Sequence, residues 1–442
     1  MKSTRIVVAN LLVVVAIAQG QTAPILSLDD AVALAVKGNR QVQSTALDVN
    51  RAREETAAAK TNRLPQFSVY LLGGEALRPI SFAIPQGALG TYAATGPIPA
   101  QKSNITTPQQ FTALILAQAS QPLSQLWKVR LALISSQIGE SLAKERLRQQ
   151  TQDTAQSVRD LYYQIAQTQT QIESSEAVEK YLVALQGETD RNLAQLAALK
   201  GDSLAVRAKL SQQRYQLLNL RDTLQTQKES FNRLLGRELE IEFSVEVQPL
   251  PRADEIELAA ARELALEQRP EIQQARLQTK KAETEVRRQR AEYIPDVSAT
   301  FTYASLPNVS FAPQNVLNAG FLLQWQPFDW GQKRHKTESL RDATKQAMLT
   351  ERDAEQQVLL DVNAKFRALA ESRALLDTSA LAQEAEREKL RVTTNRYGQK
   401  TALLSDVLQQ EGAAVQADSD YQKALAAFWK AKASFDRALG RE

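Results

Sequence analysis

The chain has 442 residues, of which only 16 are Gly and 15 Pro, so most of it runs without turn formers. It has no Cys and a single His, which removes thiol chemistry and most metal-site chemistry and fits an exported chain that avoids unwanted disulfides. Its 54 Lys and Arg against 50 Asp and Glu leave a net charge of +4 with both signs interspersed, a balance that argues against a nucleic-acid partner.

The N-terminus reads as a secretory signal peptide over residues 1–18. MKSTR is positive, IVVANLLVVVAIA is apolar but short for a membrane span, and Ala16-Ile17-Ala18 offers a small-residue cleavage site before polar QGQT. No Cys follows for lipid attachment. No later stretch approaches the roughly 20 apolar residues of a transmembrane helix. If the mature chain enters a membrane, it does so as strands.

From Ser27 to Arg63 the pattern predicts one helix, with Leu28, Val32 and Ala35 opening an apolar stripe and Asp29 and Asp30 suiting a first turn. Pro65 closes it. Strands are expected over about 64–74 and 111–121, separated by a long Gly- and Pro-rich connection from Gly73 to Gln110. From Lys128 to about Leu196 there are almost no breakers, which predicts a helix on the order of 100 Å at 1.5 Å per residue. The chain turns near Ala197–Ser203, and a return helix reaches Gly236. Apolar residues on these helices are sparse and often small, as suits a coiled coil or a helical wall wet on one side.

An extended linker over 239–252 leads to a second half that repeats the first. Leu34, Val42, Leu47, Ala52, Glu55 and Pro65 match Leu264, Ile272, Leu277, Ala282, Glu285 and Pro295 at one offset. Gln121-Pro122 matches Gln326-Pro327, Val158 matches Val362, Tyr162 matches Phe366, and FNRLLGRE (Phe231–Glu238) matches FDRALGRE (Phe435–Glu442). The chain therefore divides into a first repeat over 19–238 and a second over 253–442, each helix, strand, strand, long helix, return helix. The second strand pair is expected over about 294–304 and 318–327. In the first of these Val297, Ala299, Phe301 and Tyr303 share one face while Asp296, Ser298, Thr300 and Thr302 share the other. In the second, Phe321, Leu323 and Trp325 oppose Leu322, Gln324 and Gln326. In the strand before Gln121, Phe111, Ala113 and Ile115 compete with Leu114 and Leu116 for the apolar face.

Four strands cannot close a transmembrane barrel, because about 8 are the minimum and an open edge in lipid leaves N–H and C=O groups unsatisfied at several kcal/mol each. Three copies would supply about 12. The predicted fold class is thus mainly α with a small membrane β part, four strands per chain completing a 12-stranded barrel in a homotrimer that long helices continue.

In this arrangement the chain resembles the TolC-like outer-membrane efflux proteins. The resemblance covers the whole mature chain and rests on the duplicated order of elements. It also rests on Ala33-Leu34 with Asn39-Arg40 and Glu263-Leu264 with Arg269-Pro270, on Leu64-Pro65 and Ile294-Pro295, on Gln326–Gly331, and on Arg396-Tyr397 followed by Asp406-Val407-Leu408. It implies a homotrimeric channel in the outer membrane with a helical extension in the periplasm. A periplasmic adaptor and an inner-membrane transporter would dock on it, in an efflux or type I secretion system. The sequence departs from the family's pattern where Lys400 stands four residues after Arg396 in place of a Gly, and where Asn192-Leu193 replaces an Arg-Tyr pair.

Candidate residues at the helical turns are Asp202, Asp406, Arg396, Tyr397 and Lys400. Three chains would bring Asp202 and Asp406 toward one axis as a ring of acids; as helix-start residues they equally suit capping. Tyr397 with Arg396 would lock neighbouring helices by hydrogen bonds or pack as an ordinary aromatic. Trp127 and Trp330, with Pro122 and Pro327, lie at matching ends of the two strand pairs, where an aromatic belt would meet the membrane interface. His335 follows Lys333 and Arg334 in a basic girdle. No nucleophile with a base and no Gly-rich phosphate loop is present, so neither an enzyme nor a cofactor is expected. The rival reading is a secreted coiled-coil, adhesin-like scaffold without a pore, which has no need of duplicated lipid-facing strands.

Overall fold

The computed structural model describes residues 24–75, 77–79, 81–106, 111–195, 199–246, 256–307 and 313–441. The signal peptide expected over 1–18 and the turn residues 196–198 lie outside the described residues, as does part of the 239–252 linker. In chain order the elements are β1 (Ile25–Leu26), α1 (Leu28–Gly38), α2 (Arg40–Thr61), β2 (Gln66–Glu75), β3 (Ser81–Ile84), β4 (Thr91–Tyr92), β5 (Gly96–Pro97), β6 (Ser103–Thr106) and β7 (Phe111–Pro122). They continue with α3 (Leu126–Ala194), α4 (Lys200–Leu234), β8 (Ser244–Val245), α5 (Leu258–Gln268), α6 (Pro270–Ala291), β9 (Asp296–Ser305), β10 (Asn315–Gln324), α7 (Gln332–Gly398) and α8 (Leu404–Ala438). The duplicated order is plain, with helices, two strands, a helix of 69 or 67 residues and a return helix of 35 residues in each half.

Two compact units form, and segments of both halves contribute to each. One comprises residues 48–144 and 274–353 and holds the sheet; the other comprises 1–47, 145–273 and 354–442.

In the sheet unit the strands run in the order β10-β9-β7-β2, all antiparallel. Register decides the faces, because directly paired residues point the same way. Phe321 pairs with Ala299, Leu323 with Val297 and Ala319 with Phe301. Ala117 pairs with both Tyr303 and Val69, and Ile115 with Leu71. The odd-numbered set of β7, with Phe111, Ala113 and Ile115, therefore joins the apolar face. Leu114 and Leu116 fall on the other face, among Ser68, Gln118, Ser120, Thr300 and Thr302. Last in the order, β2 and β10 are edge strands. The long connection after β2 carries two small hairpin pairings of its own, β3 with β6 and β4 with β5.

The last strand sits three residues earlier than the 318–327 expected. Asn315, Val316 and Leu317 pair with Ser305, Ala304 and Tyr303, and pairing stops at Gln324 opposite Asp296. The partner strand begins just after Pro295, which has no N–H to donate, so Trp325–Pro327 find no ladder to join.

In the helical unit, the single helix expected over Ser27–Arg63 is two helices broken at Asn39. Asn39 adopts an extended conformation, its carboxamide oxygen accepts the N–H of Gln41 at 2.9 Å and of Val42 at 3.3 Å, and its Nδ2 donates to the Leu234 carbonyl at 2.9 Å. The break is an N-cap that the unbroken apolar periodicity concealed. The second half breaks likewise at Arg269, followed by Pro270 at the first position of α6.

Matching residues build matching cores. Tyr162 packs against Phe231 in a cluster with Ala31, Ala35 and Val158, and Phe366 packs against Phe435 in a cluster with Ala261, Ala265 and Val362. The Tyr162 hydroxyl, buried in the first cluster, donates to the Leu26 carbonyl at 3.0 Å and accepts the Glu246 N–H at 3.1 Å, joining the parallel strands β1 and β8.

Candidate functional site

At the ends of the sheet, β7 closes with Pro122 paired to Ser298. Ser124 then ties the next segment across: its hydroxyl donates to the Pro295 carbonyl at 2.6 Å and accepts the Val297 N–H at 2.8 Å. Lys128 at the start of α3 binds Asp296 at 2.7 Å and Glu292 at 3.4 Å. Pro327 stands beyond the strand end, exposed, in the extended segment leading to α7. Trp127 is half exposed, and Trp330 is 90% exposed against the edge of Phe328 at a centroid distance of 4.7 Å. Trp330 takes a positive φ of 55°, and Asp329 behind it caps α7 by accepting the N–H groups of Gly331 and Lys333 at 3.1 and 2.9 Å. His335 sits exposed in the first turns of α7, and among the described residues no cluster of ligands could hold a metal ion.

At the helical turns Asp202 and Asp406 occupy the third positions of α4 and α8. The Asp406 carboxylate accepts the Leu403 N–H at 3.0 Å and Asp202 accepts the Leu199 N–H at 3.4 Å, the acidic half of a capping box in both. Asp190, near the end of α3, accepts from the Ser203 hydroxyl at 2.6 Å and binds Arg207 at 3.3 Å; the Ser203 bond leads in holding its carboxyl below the ordinary range.

Lys400 lies in the left-handed region, at φ 61°. Its N–H reaches the Tyr397 carbonyl at 2.9 Å, and the Arg396 carbonyl accepts both the N–H and the hydroxyl of Thr401, at 2.9 and 3.0 Å. Arg396 thus anchors the turn through its backbone. Tyr397 packs, partly buried, against the cluster of Leu182, Leu185, Val206, Leu210 and Leu404. Burial, then the charges of Glu188 and Asp202, push its phenol pKa up, so Asp202 and Tyr397 are brought within electrostatic reach of each other.

Glu411 escaped the sequence reading. It is 3% exposed, and neither carboxylate oxygen has a hydrogen-bond partner. Burial pushes its pKa up to about 7, opposed by Lys209. Its signal was available: Leu404, Val407, Glu411 and Ala414 follow the 3-4-3 spacing of a buried stripe, and all four are buried.

A four-stranded antiparallel sheet with an apolar face and two open edges, in a chain dominated by helices of nearly 70 residues, is the fold of several solved outer-membrane channels. VceC of Vibrio cholerae superposes with a TM-score of 0.75 at 15% identity, covering 94% of this chain and 96% of VceC. The CmeC channel of Campylobacter jejuni gives 0.77 at 14%, covering 93% and 85%. The open-state MtrE channel of Neisseria gonorrhoeae gives 0.71 at 16%, covering 94% and 89%. No curated protein matches the sequence. Residues 261–441 match the model of the outer membrane efflux protein family.

Proposed function

We propose that the chain is one subunit of a passive homotrimeric exit duct, which docks a periplasmic adaptor and an inner-membrane transporter in a tripartite efflux or type I secretion system. The observation that carries this reading is the sheet with two open edges and one continuous apolar face. Such a sheet in lipid needs edge partners, and β10 of one copy meeting β2 of the next supplies them three times over. The apolar set of Phe301, Tyr303, Phe321 and Leu323 faces lipid, and Thr300, Thr302, Gln118 and Ser120 face the lumen. Trp127 and Trp330 sit at the periplasmic interface of the bilayer, with Pro122 and Pro327 at the strand ends.

The mature chain begins after a signal peptide over 1–18 and consists of repeats over 19–238 and 253–442 joined by the 239–252 linker. The long helices carry a wet conduit through the periplasm, and the turns bearing Asp202, Arg396, Tyr397, Lys400 and Asp406 form its gated, docking end. The energy for transport comes from the inner-membrane partner.

Extraction and conductance test the reading. The protein should leave membranes only with detergent and form discrete channels in a planar bilayer. Release by high salt alone, with no conductance, would favour the pore-free scaffold.

A further inference from the structure

Glu411 occupies a position that calls for an apolar side chain. It stands seven residues, about 10 Å along the helix axis, beyond the first residue of α8. The stripe it belongs to starts at Leu404, which packs with Leu182 and Leu185 of α3 and Val206 and Leu210 of α4. Both carboxylate oxygens lack a partner. An ionised carboxylate buried in that condition is strongly unfavourable.

Two outcomes relieve it: the carboxylate takes up a proton, or the helices part and let water reach it. The titratable groups around it do not offer a third. From α4, Lys209 acts on Glu411 at a distance and lowers its pKa without bonding to it. From α3, Tyr181 feels the Glu411 charge; burial and that charge raise its own pKa, and a hydrogen bond with Thr394 of α7 lowers it. Glu188 of α3 and Tyr397 of α7 also act on Tyr181, and Glu188 adds negative charge to the region.

We propose that Glu411 is a proton-binding site that sets how tightly α8 packs against α3 and α4 beside the helical turns: protonated, the three helices close, and ionised, they part. The inference stands on the packing within one protomer and does not depend on what docks at the turns.

The direction follows from linkage. The closed form holds the proton more tightly than an opened form with an ordinary carboxyl, so opening grows as pH rises from the ordinary Glu value toward and past about 7. Between pH ~5.5 and ~9 the opening constant should rise on the order of 30-fold.

Amide hydrogen exchange on the full-length protein in detergent reads this directly, as protection factors for residues 404–415 and 203–213, which remove the intrinsic base catalysis. Wild type should lose protection over this range by that factor. Glu411→Gln and Glu411→Leu should hold it constant, and Lys209→Met should move the loss to higher pH. Infrared titration of the wild type, which needs no variant to fold, should show a protonated-carboxyl band at pH ~6 that vanishes by pH ~9. A flat wild-type profile, an unchanged loss in Glu411→Gln, or absence of that band would overturn the proposal.

Discussion

The Gly38 carbonyl lies so close to Gly236 that a Cβ built on Gly236 would fall 2.0 Å from its oxygen, and one on Gly38 would fall 2.3 Å from the Leu235 oxygen. Gly236 also has φ +73°, a region that costs an L-residue about 1–2 kcal/mol. The contact joins the end of α1 to the end of α4 and uses backbone on both sides, so neither can yield by a rotamer change. Gly236→Ala should therefore lower stability by more than about 2 kcal/mol. Gly139→Ala, in the interior of α3 with open space around the new Cβ, should raise it by about 0.5–1 kcal/mol. Denaturant midpoints of the detergent-solubilised variants check both.

Arg269 is buried and donates to Glu271 through two nitrogens at 2.9 and 3.1 Å and to Asp361 at 2.5 Å. Arg437 joins the group, binding Asp153 and approaching Glu271 at 3.6 Å. Removing the central guanidinium by Arg269→Met takes from Asp361 its ion pair and leaves Glu271 only the more distant Arg437, and should cost about 3 kcal/mol. Burial would raise the Glu271 pKa, but the bonds to Arg269 outweigh it and the net direction is down. The stability this gives is present above the unfolded value near 4.5 and is lost as pH falls through the lower folded value. Wild type should thus lose stability below pH ~4.5 more steeply than Arg269→Met does, as urea titrations across that range would register.

Lys400 holds a left-handed turn with a side chain that the conformation disfavours. Lys400→Gly should stabilise the turn by about 1 kcal/mol and lower hydrogen exchange at the Lys400 and Thr401 amides, whose acceptors are the Tyr397 and Arg396 carbonyls. Lys400→Ala should leave stability within about 0.5 kcal/mol of wild type, because Ala meets the same backbone clash.

Asp202 and Asp406 cap α4 and α8, and in the duct reading they also converge as an acidic ring. The two roles separate by substitution. Asp202→Asn with Asp406→Asn keeps an oxygen acceptor for the Leu199 and Leu403 N–H groups, so stability should stay within about 0.5 kcal/mol, while cation block of single channels weakens. If block is unchanged, capping is their whole role. The double Ala variant should lose about 1 kcal/mol per cap.

The duplication was legible because matching residues such as Tyr162 and Phe366 do the same packing in both halves, each against a Phe of the return helix. Strand alternation was legible for β9, whose two faces differ cleanly. It was ambiguous for β7, where both faces carry apolar residues, and only the pairing of Ala117 with Val69 and Tyr303 settles the faces. The break at Asn39 was hidden because the apolar periodicity runs through it, and because the Leu234 carbonyl that holds its Nδ2 lies far along the chain. Glu411 shows the opposite limit: its place in the 404–407–411–414 stripe was readable, but that both of its oxygens go unpartnered depends on what α3 and α4 bring to it.

The central claim is that three copies close one barrel through β2 and β10. The repeat supplies the register: β7 pairs with β9 so that Gln118 meets Thr302, and the equivalent residues are Leu322 of β10 and Leu72 of β2 on the next copy, both on the lumen face. Since the chain has no Cys, Leu72→Cys with Leu322→Cys gives a clean oxidative cross-linking pair. On a denaturing gel of oxidised outer membranes, the double variant should run as a covalent trimer that reductant returns to monomer, with each single variant monomeric. A double variant that stays monomeric under oxidation, along with pairs shifted by two residues either way, would contradict the account.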